Sequence, residues 1–70
     1  MRLSARNQLA GTIQSIKEGV ITAEVVIKLA GGEEVVSVIT VDSVHGLNLK
    51  VGDNVRAIIK STEVLIATEA

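Results

Sequence analysis

From Val20 to Leu29 the side chains alternate with a period of two. Ile21, Ala23, Val25, Ile27 and Leu29 fall on one side, and Thr22, Glu24, Val26 and Lys28 on the other. That period belongs to a strand with one face on a core, and it is incompatible with a helix over the same stretch. The pattern recurs along most of the chain. Gln8 to Lys17 reads as a first strand with Leu9, Gly11 and Ile13 on one face. Ile16 falls out of phase, which places a bulge near Gln14-Ser15, and Gly11 within the run points to a close backbone approach. Glu18-Gly19 is a turn, Val20 to Leu29 the second strand, Ala30 to Glu33 a hairpin loop and Glu34 to Val41 the third strand.

The period then changes. Val41 to Leu49 reads as a short helical connection capped by Thr40 or Asp42, with Val44, Leu47 and Leu49 pointing inward, and with Gly46 and Asn48 keeping it short. Val51 to Asn54 is a turn, Asn54 to Lys60 a fourth strand and Val64 to Thr68 a fifth. Three strands, a short helix and two strands is the element order of a small Greek-key barrel of the OB type. The expected fold is therefore all-β: a five-stranded OB-like barrel with one short helix between strands 3 and 4.

Seventy residues make a single domain, expected to span residues 1–70. A chain of this size buries only about 60% of the surface its unfolded form exposes, so it needs help from disulfides, a metal or a partner. It has no Cys, and one His cannot build a transition-metal site, so oligomerisation is the remaining remedy. The third strand agrees. It is apolar on both faces, with Val36 and Val38 on one side and Val35 and Ile39 on the other, as burial against another subunit requires. No apolar run suggests a signal peptide or a membrane span, and the expected location is the cytoplasm.

Several chemistries are disfavoured at once. The formal net charge is −1 and there is no Phe, Tyr or Trp, so the chain has neither the field nor the stacking platforms that single-strand nucleic-acid binders use. His45 lies near Asp42 and Ser43, but three such residues in one helical turn do not form a nucleophilic relay, so His45 reads as a surface residue beside a helix cap. Glu33-Glu34 is a solvated hairpin mouth, and Gly31-Gly32 opens no long helix that could hold a nucleotide phosphate.

Two clusters of donors remain: Ser4-Ala5-Arg6-Asn7-Gln8, and Lys60-Ser61-Thr62 at the end of the fourth strand. Each joins a cation to a hydroxyl with no acid inside the cluster. In a small barrel, the start of strand 1 and the end of strand 4 can share one end. Donors with no acceptor suit a fully deprotonated tetrahedral oxyanion such as molybdate, tungstate or sulfate. Phosphate keeps a proton near neutrality and favours a site with an acceptor. Charged donors such as Arg6 and Lys60 make hydrogen bonds roughly twice as strong as neutral ones.

With those residues on the page, the sequence resembles a known family. Ser4–Gln8 (SARNQ), Val38–Val44 (VITVDSV), Leu47–Val55 (LNLKVGDNV) and Ile58–Ile66 (IIKSTEVLI) stand in the order and spacing of the molbindins, the Mop-type molybdate-binding proteins. The likeness runs from Met1 to about Thr68. It implies an OB-like barrel that assembles into hexamers, as trimers of dimers, and binds molybdate or tungstate at subunit interfaces. Carried over by motif, it implies an oxyanion site of Ser4, Arg6, Lys60 and Ser61, with Asn7 bracing the loop and Thr40 reaching in from a neighbouring subunit. A second class of site is implied within Val41–Asn48, with Ser43 and His45 as its candidate donors. The same module occurs in molybdate-responsive regulators and transporter ATPase subunits, but no partner domain stands here from which to inherit a DNA-binding or ATPase function.

The expected function is thus non-catalytic: binding of molybdate or tungstate by a homo-oligomer, for storage, homeostasis or transport of molybdenum. No nucleic acid or membrane partner is expected. The alternatives are an OB-fold nucleic-acid-binding module and a purely structural oligomerisation module.

Overall fold

The computed structural model describes residues 2–69. Its elements run β1 (Asn7–Glu18), β2 (Thr22–Leu29), β3 (Glu34–Thr40), α1 (Val41–Gly46) and β4 (Asn54–Ile59), followed by a single 3₁₀ turn at Ser61–Glu63. The four strands form one antiparallel sheet in the order β3-β2-β1-β4. The sheet curls on itself as an OB-like, partly open barrel.

β1 organises the sheet because it serves two partners in turn. Residues 7–12 pair with β4, with Asn7 opposite Ile59 and Thr12 opposite Asn54. Residues 11–18 pair with β2, with Gly11 opposite Leu29 and Glu18 opposite Ala23. The changeover needs a bend. The register shifts between Ile13 and Ser15, at the bulge that the out-of-phase Ile16 predicts. Just before it, the Ile13 N–H donates to the Asp53 carbonyl, and the Ile13 carbonyl accepts from the Gly52 N–H, both at 2.9 Å. Ile13 is also the most completely buried large side chain, so the bend is pinned from inside and from its edge.

The core is small and aliphatic: Ile13, Ala23, Val25, Ile27, Val44 and Ala57, flanked by Ile16, Leu29, Val35, Ile39, Val41, Leu49 and Val55. Helix α1 plugs one end of the barrel with Val44. Thr40 is its N-cap, the Thr40 Oγ1 accepting from the Ser43 N–H at 3.0 Å. At the other end Asn48 takes a positive φ of 54°, the Asn48 N–H donates to the His45 carbonyl, and the Leu49 N–H reaches back to the Val44 carbonyl. This closing geometry turns Leu49 onto the core. Leu47 is exposed, against the expectation that it points in.

The expected fifth strand is corrected. Val64–Thr68 carries no strand pairing, although it follows the 3₁₀ turn directly. Val64, Leu65 and Ile66 are 46%, 91% and 87% exposed. The alternation of the segment is genuine, but a strand exists only where a ladder accepts it, and here the chain leaves its own sheet after β4. A groove of about 330 Å³ therefore stays open between β3 and β4, lined by residues that include Val35, Ser37, Ile39, Val55 and Ile59.

Candidate functional site

The first site is assembled by the β1–β4 register. Asn7 pairs with Ile59, the last residue of β4. One step further along each strand stand Arg6 and Lys60, and beyond Lys60 the chain turns at Ser61. Two segments more than fifty positions apart in the sequence are thereby brought to one end of the barrel. Ser4 sits in a bend. Ser4, Arg6, Lys60 and Ser61 are exposed, while Asn7 is half-buried at the start of β1.

The electrostatics follow from what is missing around these cations. Among the described residues the one ion pair is His45–Glu18. No carboxylate lies within pairing distance of Arg6 or Lys60 there, and like charges on neighbouring strand positions repel each other. The register thus sets two cations near each other, with hydroxyls next in the chain, and no ion pair among the described residues neutralises them. The Glu63 carboxylate follows Ser61 by two positions but makes no ion pair with either cation. An anion with acceptors on all sides relieves that repulsion and satisfies every donor.

Thr40, Ser43 and His45 lie elsewhere. Thr40 pairs with Thr22, at the end of the sheet where β1 finishes, not where it starts. Its hydroxyl donates to the Ser43 Oγ at 2.8 Å while capping α1. The His45 Nε2 lies 2.8 Å from the Glu18 Oε1, both groups being exposed. Within one chain, then, Arg6, Asn7, Lys60 and Ser61 stand at one end of the β1–β4 pair, with Ser4 two positions ahead of Arg6, and Thr40, Ser43 and His45 form a separate group. Among the described residues no set of three or more His, Cys, Asp or Glu side chains is placed to hold a metal ion. No helix in the described residues is long and apolar enough to cross a membrane.

Gln8 follows Asn7 in β1, and no pattern in the sequence gives it a role. Its Nε2 donates to the Ala5 carbonyl at 2.9 Å, inside the bend that carries Ser4 and Arg6. A side chain reaching three positions back gives no periodic signal.

The TOBE domain family matches residues 3–66, nearly the whole chain. The chain belongs to the TOBE family, among its Mop-type members. It is 53% identical over 66 residues to "Molybdenum-pterin-binding protein 1" of Clostridium pasteurianum, covering 94% of this chain and 97% of that protein. The structure of a molybdate binding protein from Sporomusa ovata superposes with a TM-score of 0.92 at 40% identity, covering 97% of this chain and 100% of that one. The cytoplasmic molybdate-binding protein ModG, in a form with molybdate bound, matches with a TM-score of 0.84 at 46% identity over 87% of this chain and 43% of that one. The OB-like fold expected from the sequence is thus the fold of its relatives.

Proposed function

We propose that this protein binds molybdate, as an intact oxyanion and not as a catalytic cofactor, at a site built from Ser4, Arg6, Asn7, Lys60 and Ser61 and completed by Thr40 of a second copy. The observation that carries this reading is the β1–β4 register, which sets Arg6 beside Lys60 with no carboxylate partner. The names of the relatives agree with it: a molybdate binding protein of matching fold, and ModG with molybdate bound. Tungstate has the same charge and shape and fits the same donors. Ser43 and His45 are the candidate donors of a second site. The residue set suits holding and releasing an anion, not transforming it: among the described residues no side-chain hydrogen bond joins a hydroxyl to a His or Lys base. Storage or buffering of molybdenum in the cytoplasm is the role this reading supports.

Assembly belongs to the same reading. Thr40 lies at the far end of the sheet from Arg6, so only another copy can bring it to this site. The open β3–β4 groove and the unpaired apolar segment Val64–Thr68 complement each other, and exchange of that segment between copies gives both a partner. Hexamers, as trimers of dimers, are the assembly the family resemblance suggests.

Titration calorimetry with molybdate, tungstate, sulfate and phosphate is the direct test. Molybdate and tungstate should give saturable heats, and phosphate should bind weakly or not at all. Arg6→Ala and Lys60→Ala should each lower molybdate affinity by about 1.5–3 kcal/mol, the loss of one charge-assisted hydrogen bond. Sedimentation should show the assembly intact in both. No heat with either group-six oxyanion refutes the function. Full affinity in both variants refutes the site.

A further inference from the structure

We propose that Gln8 is a positioning residue for this site: its side-chain amide holds the Ser4–Arg6 bend in the shape that presents the donors before an anion arrives. The proposal rests on the oxyanion reading above and adds to it a residue and a mechanism.

Gln8 is anchored in β1, opposite Ile58, so its backbone is part of the sheet. Its Nε2 donates to the Ala5 carbonyl at 2.9 Å, and among the described residues this is the one side-chain hydrogen bond that reaches residues 2–6. Ala5 and Gln8 are half-buried, while Ser4 and Arg6 on either side of Ala5 are exposed. The bend is therefore clamped at its inner residue and open at its outer donors. Residues 2–6 lie ahead of the β1 ladder and have no strand pairing of their own to order them. Ordering them only on binding would draw on the affinity for the anion.

The chemistry of the amide also argues that Gln8 acts through the bend and not on the ligand. One N–H of its Nε2 is committed to the Ala5 carbonyl, which ties the amide to the inner residue of the bend. Its Oε1 is an acceptor, which a fully deprotonated oxyanion has no proton to satisfy. Arg6 and Ser4 supply donors to the anion, and Gln8 supplies their geometry.

Two variants test this without breaking the strand: Gln8→Met, which keeps the length but loses the donor, and Gln8→Glu, which places a second acceptor against the Ala5 carbonyl. Molybdate affinity by calorimetry should fall about two- to tenfold in Gln8→Met, the equivalent of one neutral hydrogen bond, and further in Gln8→Glu. In a double-mutant cycle Gln8→Met should cost much less once Arg6 is already Ala, since the clamp then has little left to present. Amide hydrogen exchange in the ligand-free protein supplies the readout that anion binding does not enter. Exchange at Ala5, Arg6 and Asn7 should speed up in Gln8→Met, while Leu9 to Thr12 in the β1–β4 ladder keep their protection. Wild-type exchange at Ala5–Asn7 in Gln8→Met overturns the proposal, and so does a loss of affinity fully additive with Arg6→Ala. A wild-type protein that takes up no molybdate overturns the function instead, and the exchange measurement still decides whether the clamp exists.

Discussion

At Gly11 the barrel leaves no room for a side chain. Here β1 meets both β2 and β4, with Leu29 opposite on one flank and Val55 on the other. A Cβ at this position would lie 2.6 Å from the Ile27 Cγ2 and 2.7 Å from the Lys28 carbonyl oxygen. One of those atoms belongs to a core side chain and the other to backbone, so neither gives way easily. Gly11→Ala should destabilise the protein by about 1–3 kcal/mol through overpacking. Denaturant unfolding of wild type and variant measures it, and equal midpoints at equal protein concentration would refute the close-approach argument. The glycine also matters to the site. It lies four residues from Asn7 on the strand whose pairing sets Arg6 beside Lys60. A shift of β1 against β2 is therefore felt where the donors gather.

At the scale of elements, the short helix has two duties that can be separated. Thr40 caps α1 through its side-chain oxygen, and the oxyanion reading assigns the same hydroxyl to a neighbouring site. Thr40→Ala should cost about 1 kcal/mol of stability as a lost N-cap, and it should also weaken molybdate binding. Thr40→Asp keeps a capping oxygen but removes the hydroxyl donor and adds a negative charge. It should recover most of the stability while binding molybdate less well than Thr40→Ala. Recovery of both together would remove Thr40 from the site. How far elements could be read from sequence divides along the same line. The bulge after Ile13 was legible because Ile16 breaks a two-residue period, and the Thr40 cap because hydroxyl chemistry at a strand-to-helix junction is local. The exposure of Leu47 was not, since the helix ends on it as the C-cap and the chain, turned at the left-handed Asn48, gives the core contact to Leu49 instead. The two donor clusters were visible as residue types. What joins them is the antiparallel register of β1 and β4, a long-range pairing that no local pattern encodes.

For the whole molecule, the proposed exchange of the unpaired Val64–Thr68 segment would couple folding, assembly and ligand. Val64–Thr68 has the alternation of a strand and no ladder, while β3 and β4 each have a free edge facing a largely apolar groove. An exposed Leu65 and Ile66, together with Val36 and Val38 at 59% and 66% exposure on the outer face of β3, leave more apolar surface than a chain this small conceals alone. The segment begins three residues after Ser61, so where it goes determines how Lys60 and Ser61 are held. If copies exchange it, Ile66→Asp should drive the protein towards monomer in sedimentation velocity, by placing a charge in a largely apolar groove. The same variant should bind molybdate more weakly than the wild type even with Arg6 and Lys60 intact. A ligand bound only by the assembled form stabilises that form by about 2.7 kcal/mol at a hundred times its dissociation constant. Excess molybdate should therefore shift the Ile66→Asp protein part of the way back towards the assembled state. A wild-type chain that sediments as a monomer at micromolar concentration, with molybdate bound, would show that one copy completes the site and that the exposed segment serves something else.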